Sequence, residues 1–280
     1  MKIRSLGFPQ HSRIRPSIRL RGKTVSVLLF LGLLALSPIM LAFGNGVWTQ
    51  NTTPDRPWPP GEVLNYQVRW GVVPAARATL EVHAVVDIDG QPARHFVMTA
   101  QTNAFADLFY RYRNHIDAFT DLDMTGTLLF QKREVERKRH RSMDVRFDWD
   151  TLETQVMENG APGEGVQFQP GTFDPLSIFY VFRSMPLEVG SELLVPVSDG
   201  KKLVDGIARV RKREVISVDG REFDCFLVEP DLRDLGGVFR KSPDAVLQIW
   251  VTADTLRIPV RIRSQVAVGA FTAELDLEPH

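Results

Sequence analysis

Met143-Asp144-Val145-Arg146-Phe147-Asp148-Trp149 alternates apolar and charged side chains without a break. Successive side chains of an extended strand point to opposite faces, so this run predicts a strand with one buried and one wet face. The same period of two recurs on either side of it. Leu64, Tyr66, Val68 and Trp70 alternate with Asn65, Gln67 and Arg69, and Leu80, Val82, Ala84 and Val86 with Glu81, His83 and Asp87. Toward the C-terminus, Ile258, Val260 and Ile262 alternate with Arg261 and Arg263, and Phe271, Ala273, Leu275 and Leu277 with Thr272, Glu274 and Asp276.

Turn chemistry agrees with this pattern. Asp89-Gly90, Asn159-Gly160, Asp199-Gly200, Asp205-Gly206 and Asp219-Gly220 suit the positive φ angles of tight hairpins. Strands joined by short hairpins run antiparallel, so the expected fold is mainly β: a large antiparallel curved sheet or open barrel of roughly ten or more strands.

One stretch breaks the period. Asp174-Pro175 places a good cap before a proline at a first helical position, and Pro186 limits the far end. Between them Leu176–Met185 is apolar almost all round, which predicts a helix buried on most sides, with the sheet wrapped around it. A shorter helical turn is expected over Ala104–Phe109.

The first 44 residues read differently. They hold seven basic residues, from Lys2 to Lys23, and no acidic one, followed by the apolar run Val25–Phe43. Basic residues stay on the cytoplasmic side, so everything after Phe43 is expected outside, in the periplasm or on the outer face of the inner membrane. The run suits either a signal peptide, with small residues Ala42 and Gly44 placed for cleavage, or a retained anchor in the inner membrane through residues 25–43. Residues 45–61 contain Pro54, Pro57, Pro59 and Pro60 and read as a tether, which leaves 62–280 as the β domain.

Setting aside residues 1–44 leaves 27 basic against 34 acidic residues, net −7. That excess opposes nonspecific nucleic-acid binding, which rests on neutralising phosphates. Cys225 is the only cysteine, so no intrachain disulfide is possible, and its strand-like setting predicts a small buried hydrophobe.

Three motifs then carry a resemblance. They are Gly61-Glu62-Val63-Leu64-Asn65-Tyr66 with Trp70-Gly71; Asp174-Pro175-Leu176-Ser177 with Tyr180 and Arg183; and Ile249-Trp250-Val251-Thr252-Ala253-Asp254 with Arg257-Ile258-Pro259-Val260. In this order they resemble the exported bacterial family named domain of unknown function 3108, over roughly Gly61 to Leu277. The resemblance implies an envelope location and a curved β fold, and it implies no activity. The architecture is also similar to that of periplasmic lipoprotein carriers, a likeness of fold only.

No catalytic constellation and no cofactor motif stands out. The histidines lack the H-x-x-x-H spacing of helical zinc sites, although His83 and His95 are placed to meet across a hairpin. Ser177 has no G-x-S-x-G around it, and Gly160, Gly163 and Gly165 precede no helix. The densest charge run is Lys132-Arg133-Glu134-Val135-Glu136-Arg137-Lys138-Arg139-His140-Arg141. On one unbroken strand, Arg133, Arg137, Arg139 and Arg141 would share the face of Met143, Val145, Phe147 and Trp149. The concave side would then be apolar at one end and cationic at the other, as an anionic amphiphile requires; a turn near Arg141 would reverse the phase. Arg183, the one charge on the predicted helix after its cap, either pairs with an Asp or Glu of a nearby strand or faces a ligand beside Tyr180.

The leading expectation is therefore a non-enzymatic envelope protein that binds a lipid or lipid-linked component. Tyr180, Arg183, Phe179, Arg139 and Arg141 are its candidate ligand-binding residues, with no metal and no cofactor. The alternatives are an envelope hydrolase or transferase acting on cell-wall or capsule polysaccharide, and an interaction module without a ligand.

Overall fold

The computed structural model of the chain describes residues 56–232, 245–266 and 269–277. The expected signal or anchor segment 1–44 lies outside them. Among the described residues no helix is long and apolar enough to cross a membrane.

The fold is mainly β. In chain order the N-terminal half comprises β1 (Val63–Trp70), β2 (Val73–Val82), β3 (Val86–Ile88), β4 (Gln91–Thr102), the short α1 (Ala104–Asp107), β5 (Tyr112–Asp121), β6 (Thr127–Glu136), β7 (Arg139–Asp148), β8 (Glu153–Glu158) and β9 (Ala161–Pro162). Helix α2 (Ser177–Ser184) follows, and then β10 (Glu192–Ser198), β11 (Leu203–Val218), β12 (Arg221–Pro230), β13 (Val246–Thr252), β14 (Pro259–Val266) and β15 (Gly269–Leu275). All strands belong to one antiparallel sheet, in the order β10-β11-β12-β13-β14-β15-β1-β2-β4-β5-β6-β7-β8-β9, with β3 on β4. Its ends, β10 and β9, do not pair, so the sheet is not closed into a barrel.

The hairpin dipeptides behave as their chemistry dictates. Asp89-Gly90, Asn159-Gly160 and Asp219-Gly220 all take positive φ at both residues. Asp205-Gly206 does not turn: it lies inside β11, opposite Pro196 and Val195. Gly206 serves packing instead. A Cβ there would sit 2.6 Å from Cδ1 of Ile178 and 2.7 Å from Cγ2 of Val197, so its hydrogen lets α2 lie against the strand.

Pairing register aligns the inward side chains into rows across the strands. One row runs Val82, Phe96, Ala118, Phe130, Val145 and Val156, from β2 through β8, all buried. A single core cluster joins this row to Tyr66 of β1, Ala273 of β15, and Leu176 and Tyr180 at α2. Four of the eight residues of α2 are buried: Ser177, Ile178, Tyr180 and Arg183. The N-cap position of α2 is Leu176 rather than Asp174; Asp174 braces the turn before it, its Oδ1 accepting from the backbone N–H groups of Leu176 and Ser177 and its Oδ2 from the Thr127 hydroxyl.

The expected tether ends earlier than its prolines suggest. Trp58 is 1 % exposed and belongs to the main core cluster, edge-on to Phe96 and Tyr180 at centroid distances of 5.1 and 5.7 Å. Its indole N–H donates to the Tyr180 carbonyl at 3.1 Å. The residues from Arg56 to Gly61 are thus part of the domain: a proline-rich stretch needs no regular hydrogen bonding to be anchored by one large aromatic side chain.

Candidate functional site

The inward rows change character toward one rim of the sheet. Next to the fully apolar row lies Leu80, Met98, Ile116, Lys132, Met143 and Glu158, and beyond it Ala78, Ala100, Asn114, Glu134 and Arg141. At the rim itself Tyr112, Glu136 and Arg139 stand opposite one another. Here a recess of about 410 Å³ opens, walled by Lys132, Glu134, Arg139, Arg141, Met143 and Glu158 from β6–β8, and by Lys201 from the β10–β11 turn.

That turn is seated on the inner face of β7 and β8. The Gly200 carbonyl accepts from the Thr154 hydroxyl at 2.8 Å, and a Cβ on Gly200 would lie 2.6 Å from Val145. Lys201 pairs with Glu158 across the recess. Within the wall, Glu134 and Glu136 are 4 % and 3 % exposed, and Arg141 bridges them through Nη1 at 3.0 Å and Nη2 at 2.8 Å. Lys132 reaches Glu134 at 2.9 Å, while the Tyr112 hydroxyl donates to Glu134 and the Tyr110 hydroxyl to Glu136. Burial, with Glu134 alongside, pushes the Tyr112 phenol well above its usual range, so it stays a donor.

Not every polar atom here is engaged. The Asn114 side chain is 5 % exposed, yet neither its Oδ1 nor its Nδ2 has a partner, and the buried Nε of Arg141 also lacks one. Unpartnered buried polar atoms are uncommon in folded proteins, and these three lie on β5 and β7, the two strands that flank β6.

The five ligand-binding residues expected from sequence are not brought together. Arg139 and Arg141 wall the recess. Tyr180 is fully buried, stacked on Phe96 at 4.1 Å. Phe179 and Arg183 line a separate apolar crevice against Leu187, Leu193, Val228 and Ile249 whose volume, about 30 Å³, is about that of one water molecule. Arg183 donates to both carboxylate oxygens of Glu62, at 2.6 and 2.9 Å, and to the carbonyls of Pro57, Leu256 and Arg257. A guanidinium held this way is a structural ion pair, so the head-group role expected as one of its two readings is withdrawn.

The unbroken strand through the charge run is also corrected. Glu136 ends β6 and Arg139 begins β7, with Arg137 at φ +56° in the two-residue turn between them. Arg133 falls on the outer face and pairs with Asp144 at 2.7 Å, and Arg137 leaves the strand to lie over the Tyr110 ring at 5.2 Å. Only Arg139 and Arg141 keep the face of Met143, Val145 and Phe147. The end of the inner face is therefore of mixed sign rather than cationic, because Glu134 and Glu136 point inward. Glu134 and Glu136 alternate with Val135 and share the face of Lys132 on β6, and that alternation is their signal in the sequence.

Elsewhere the chemistry is quiet. The rings of His83 and His95 meet at 4.8 Å, with Glu81 and Asp117 as their respective partners, but no metal-binding group of three such residues occurs among the described residues. Cys225 is fully buried, and burial with Asp224 nearby pushes its thiol up to about 12. It is a neutral packing group at physiological pH.

Residues 65–276 match the family described as Protein of unknown function (DUF3108). The chain belongs to this family. DUF3108 carries a name without an activity, so membership fixes the fold's kinship and leaves the recess to speak for the chemistry. No curated protein matches the sequence. Among solved structures the chain is similar to a beta-barrel-like protein of domain of unknown function DUF1849 from Brucella abortus, at 10% identity and a TM-score of 0.47, covering 76% of this chain and 94% of that one.

Asp199, beside the recess in the β10–β11 turn, gives a pH test of this region. Burial raises its carboxyl from 3.8 to about 6, against the opposing pull of the Lys201 backbone N–H and of Lys202. Between pH 4 and 6 the folded protein retains a proton that the unfolded chain has released, so stability falls as pH rises through that window and levels off above it. Asp199 contributes up to about 3 kcal/mol to this fall. Urea unfolding midpoints measured at intervals across the window should decline in the wild type and decline less in Asp199→Asn. Parallel slopes would show that Asp199 titrates normally.

Proposed function

We propose that this DUF3108 domain is a non-enzymatic binding protein of the cell envelope that holds the polar head of an amphiphilic envelope component. The observation that carries this reading is the recess. Four cations, Lys132, Arg139, Arg141 and Lys201, face it with the carboxylates of Glu134 and Glu158, and Asn114 and Arg141 leave buried polar atoms unpaired beside it. Arg139 makes no ion pair among the described residues and is exposed, so the cationic side retains an uncommitted charge. The head group is thus anionic or zwitterionic. Leu176 and Tyr180 at α2 are packed in the main core, which supports binding at the rim rather than beside the helix. Glu134 and Glu136 do not fit the hydrolase alternative well, because one guanidinium engages both as an ion-pair partner.

Native mass spectrometry of the full chain purified from membranes tests the reading directly. The wild type should carry a bound anionic or zwitterionic amphiphile, and the surface change Arg139→Glu with Lys201→Glu should lose it while leaving the melting temperature in place. A wild-type chain that arrives empty, and stays empty when offered envelope lipid extract, ends the proposal.

Placement in the envelope rests on the basic N-terminus and the apolar run Val25–Phe43, acting as signal or anchor. A phosphatase reporter fused after Pro60 should be active and one fused after Lys23 inactive; the reverse pattern would refute the topology.

A further inference from the structure

We infer that the rim bearing the recess is a docking surface for an anionic lipid bilayer. The end of β1, the start of β2, the end of β4 with α1, the start of β5 and the β6–β7 turn are successive neighbours along this rim. From β1 to β7 is five strand spacings, about 24 Å, the width of a small membrane footprint.

Large apolar side chains project from it into solvent. Leu108 is 79% exposed, Phe109 71%, Phe105 58% and Val72 89%, and Trp70, stacked on Phe271 at 6.3 Å, keeps 54%. They come from two neighbouring pieces, the β1–β2 hairpin and the α1 loop, tied by the Asn103 side chain donating to the Pro74 carbonyl at 2.7 Å. The loop is held by its polar residues: Arg113 binds Asp107 through Nη1 at 2.9 Å and Nη2 at 2.5 Å, and Thr102 adds a hydroxyl to the same carboxylate. The sequence thus uses its charged groups to fix the loop and leaves the apolar ones outward, the reverse of an ordinary soluble surface.

Charge selects the occupant. Beside the apolar group, Arg111, Arg137, Lys138 and Arg139 are exposed. In residues 70–77, 103–113 and 136–141 the only carboxylates are Asp107 and Glu136, and these are paired with Arg113 and Arg141. A rim of aromatic and leucine side chains flanked by unopposed cations matches the interface of a bilayer containing anionic lipid: rings and aliphatic groups enter the acyl boundary, and cations meet phosphates. Arg139 belongs to both the rim and the recess, so docking would bring the recess to the lipid head groups. The head-group reading above supplies the purpose of docking, whereas the geometry of the rim stands without it.

The test uses the full chain with Leu108→Cys, or Val215→Cys as a control on β11, each combined with Cys225→Ala and labelled with an environment-sensitive fluorophore. Val215 is 61% exposed and lies toward the opposite ends of the strands. With vesicles of phosphatidylethanolamine and phosphatidylglycerol, the label at position 108 should shift to the blue and be quenched by brominated acyl chains, and the label at 215 should do neither. Arg137→Glu with Lys138→Glu should abolish the shift at 108. Lys201→Glu, which alters only the recess, should leave it intact, so failure of ligand binding and failure of docking are read separately. The proposal is overturned if both labels stay equally open to aqueous iodide. It is also overturned if the label at 108 shifts without vesicles as protein concentration rises, since a second copy would then be the occupant.

Discussion

Arg183→Met should lower the stability of the domain by about 3–5 kcal/mol, the usual loss when one partner of a buried ion pair is removed. The guanidinium is 2 % exposed and the Glu62 side chain 10 %, so methionine would leave a carboxylate desolvated and unpaired. The carbonyls of Pro57, Leu256 and Arg257 would lose their donors at the same stroke. For a domain of this size the melting temperature should fall by roughly 10 °C. Arg183→Met combined with Glu62→Leu should recover part of the loss, because the stranded charge is gone. Thermal melts followed by circular dichroism decide it. If Arg183→Met melts like the wild type, the pair contributes nothing and the helix is held by its apolar face alone.

That side chain also marks how far the sequence could be read. Period two and the Asp-Gly and Asn-Gly dipeptides were legible because each is a local rule, tied to the strand pleat or to positive φ. Asp174 and the apolar run after it announced α2 in the same way. What one sequence does not carry is which partner a charge finds across 121 positions, the separation of Arg183 from Glu62. The recess was half legible for the same reason. Arg139 and Arg141 were singled out, but phase along β6 and β7 depends on a two-residue turn at Arg137-Lys138 that contains neither glycine nor asparagine, so no turn signal was present to read. Once that turn is in place, Glu134 and Glu136 face inward opposite Arg141 and Arg139, and a cationic slope becomes a network of both signs. Gly206 misled in the opposite direction: a good turn dipeptide occurs inside a strand because α2 needs the space.

Trp58→Ala should cost about 3–5 kcal/mol, the range for truncating a buried aromatic residue. The indole is edge-on to Phe96 and Tyr180, it donates to the Tyr180 carbonyl, and the Arg94 guanidinium lies 5.3 Å over its ring. Alanine would leave a cavity between β4 and α2 at the centre of the main core, where neither a strand nor a helix can move in without breaking its own register. Trp58→Phe should cost less, since it keeps most of the apolar volume and loses the N–H. Circular dichroism melts distinguish these outcomes from the tether reading, under which all three proteins unfold together. The effect also reaches Arg183. Trp58 fixes the backbone on which the Pro57 carbonyl receives the guanidinium, and Glu62 follows four residues later. A chain begun at Glu62, where the alternating pattern starts, would therefore lack both the core indole and one acceptor of the buried ion pair. It should be less stable than the Trp58→Ala variant of the full chain, and equal stability of the two would show that the segment before Glu62 contributes only its tryptophan.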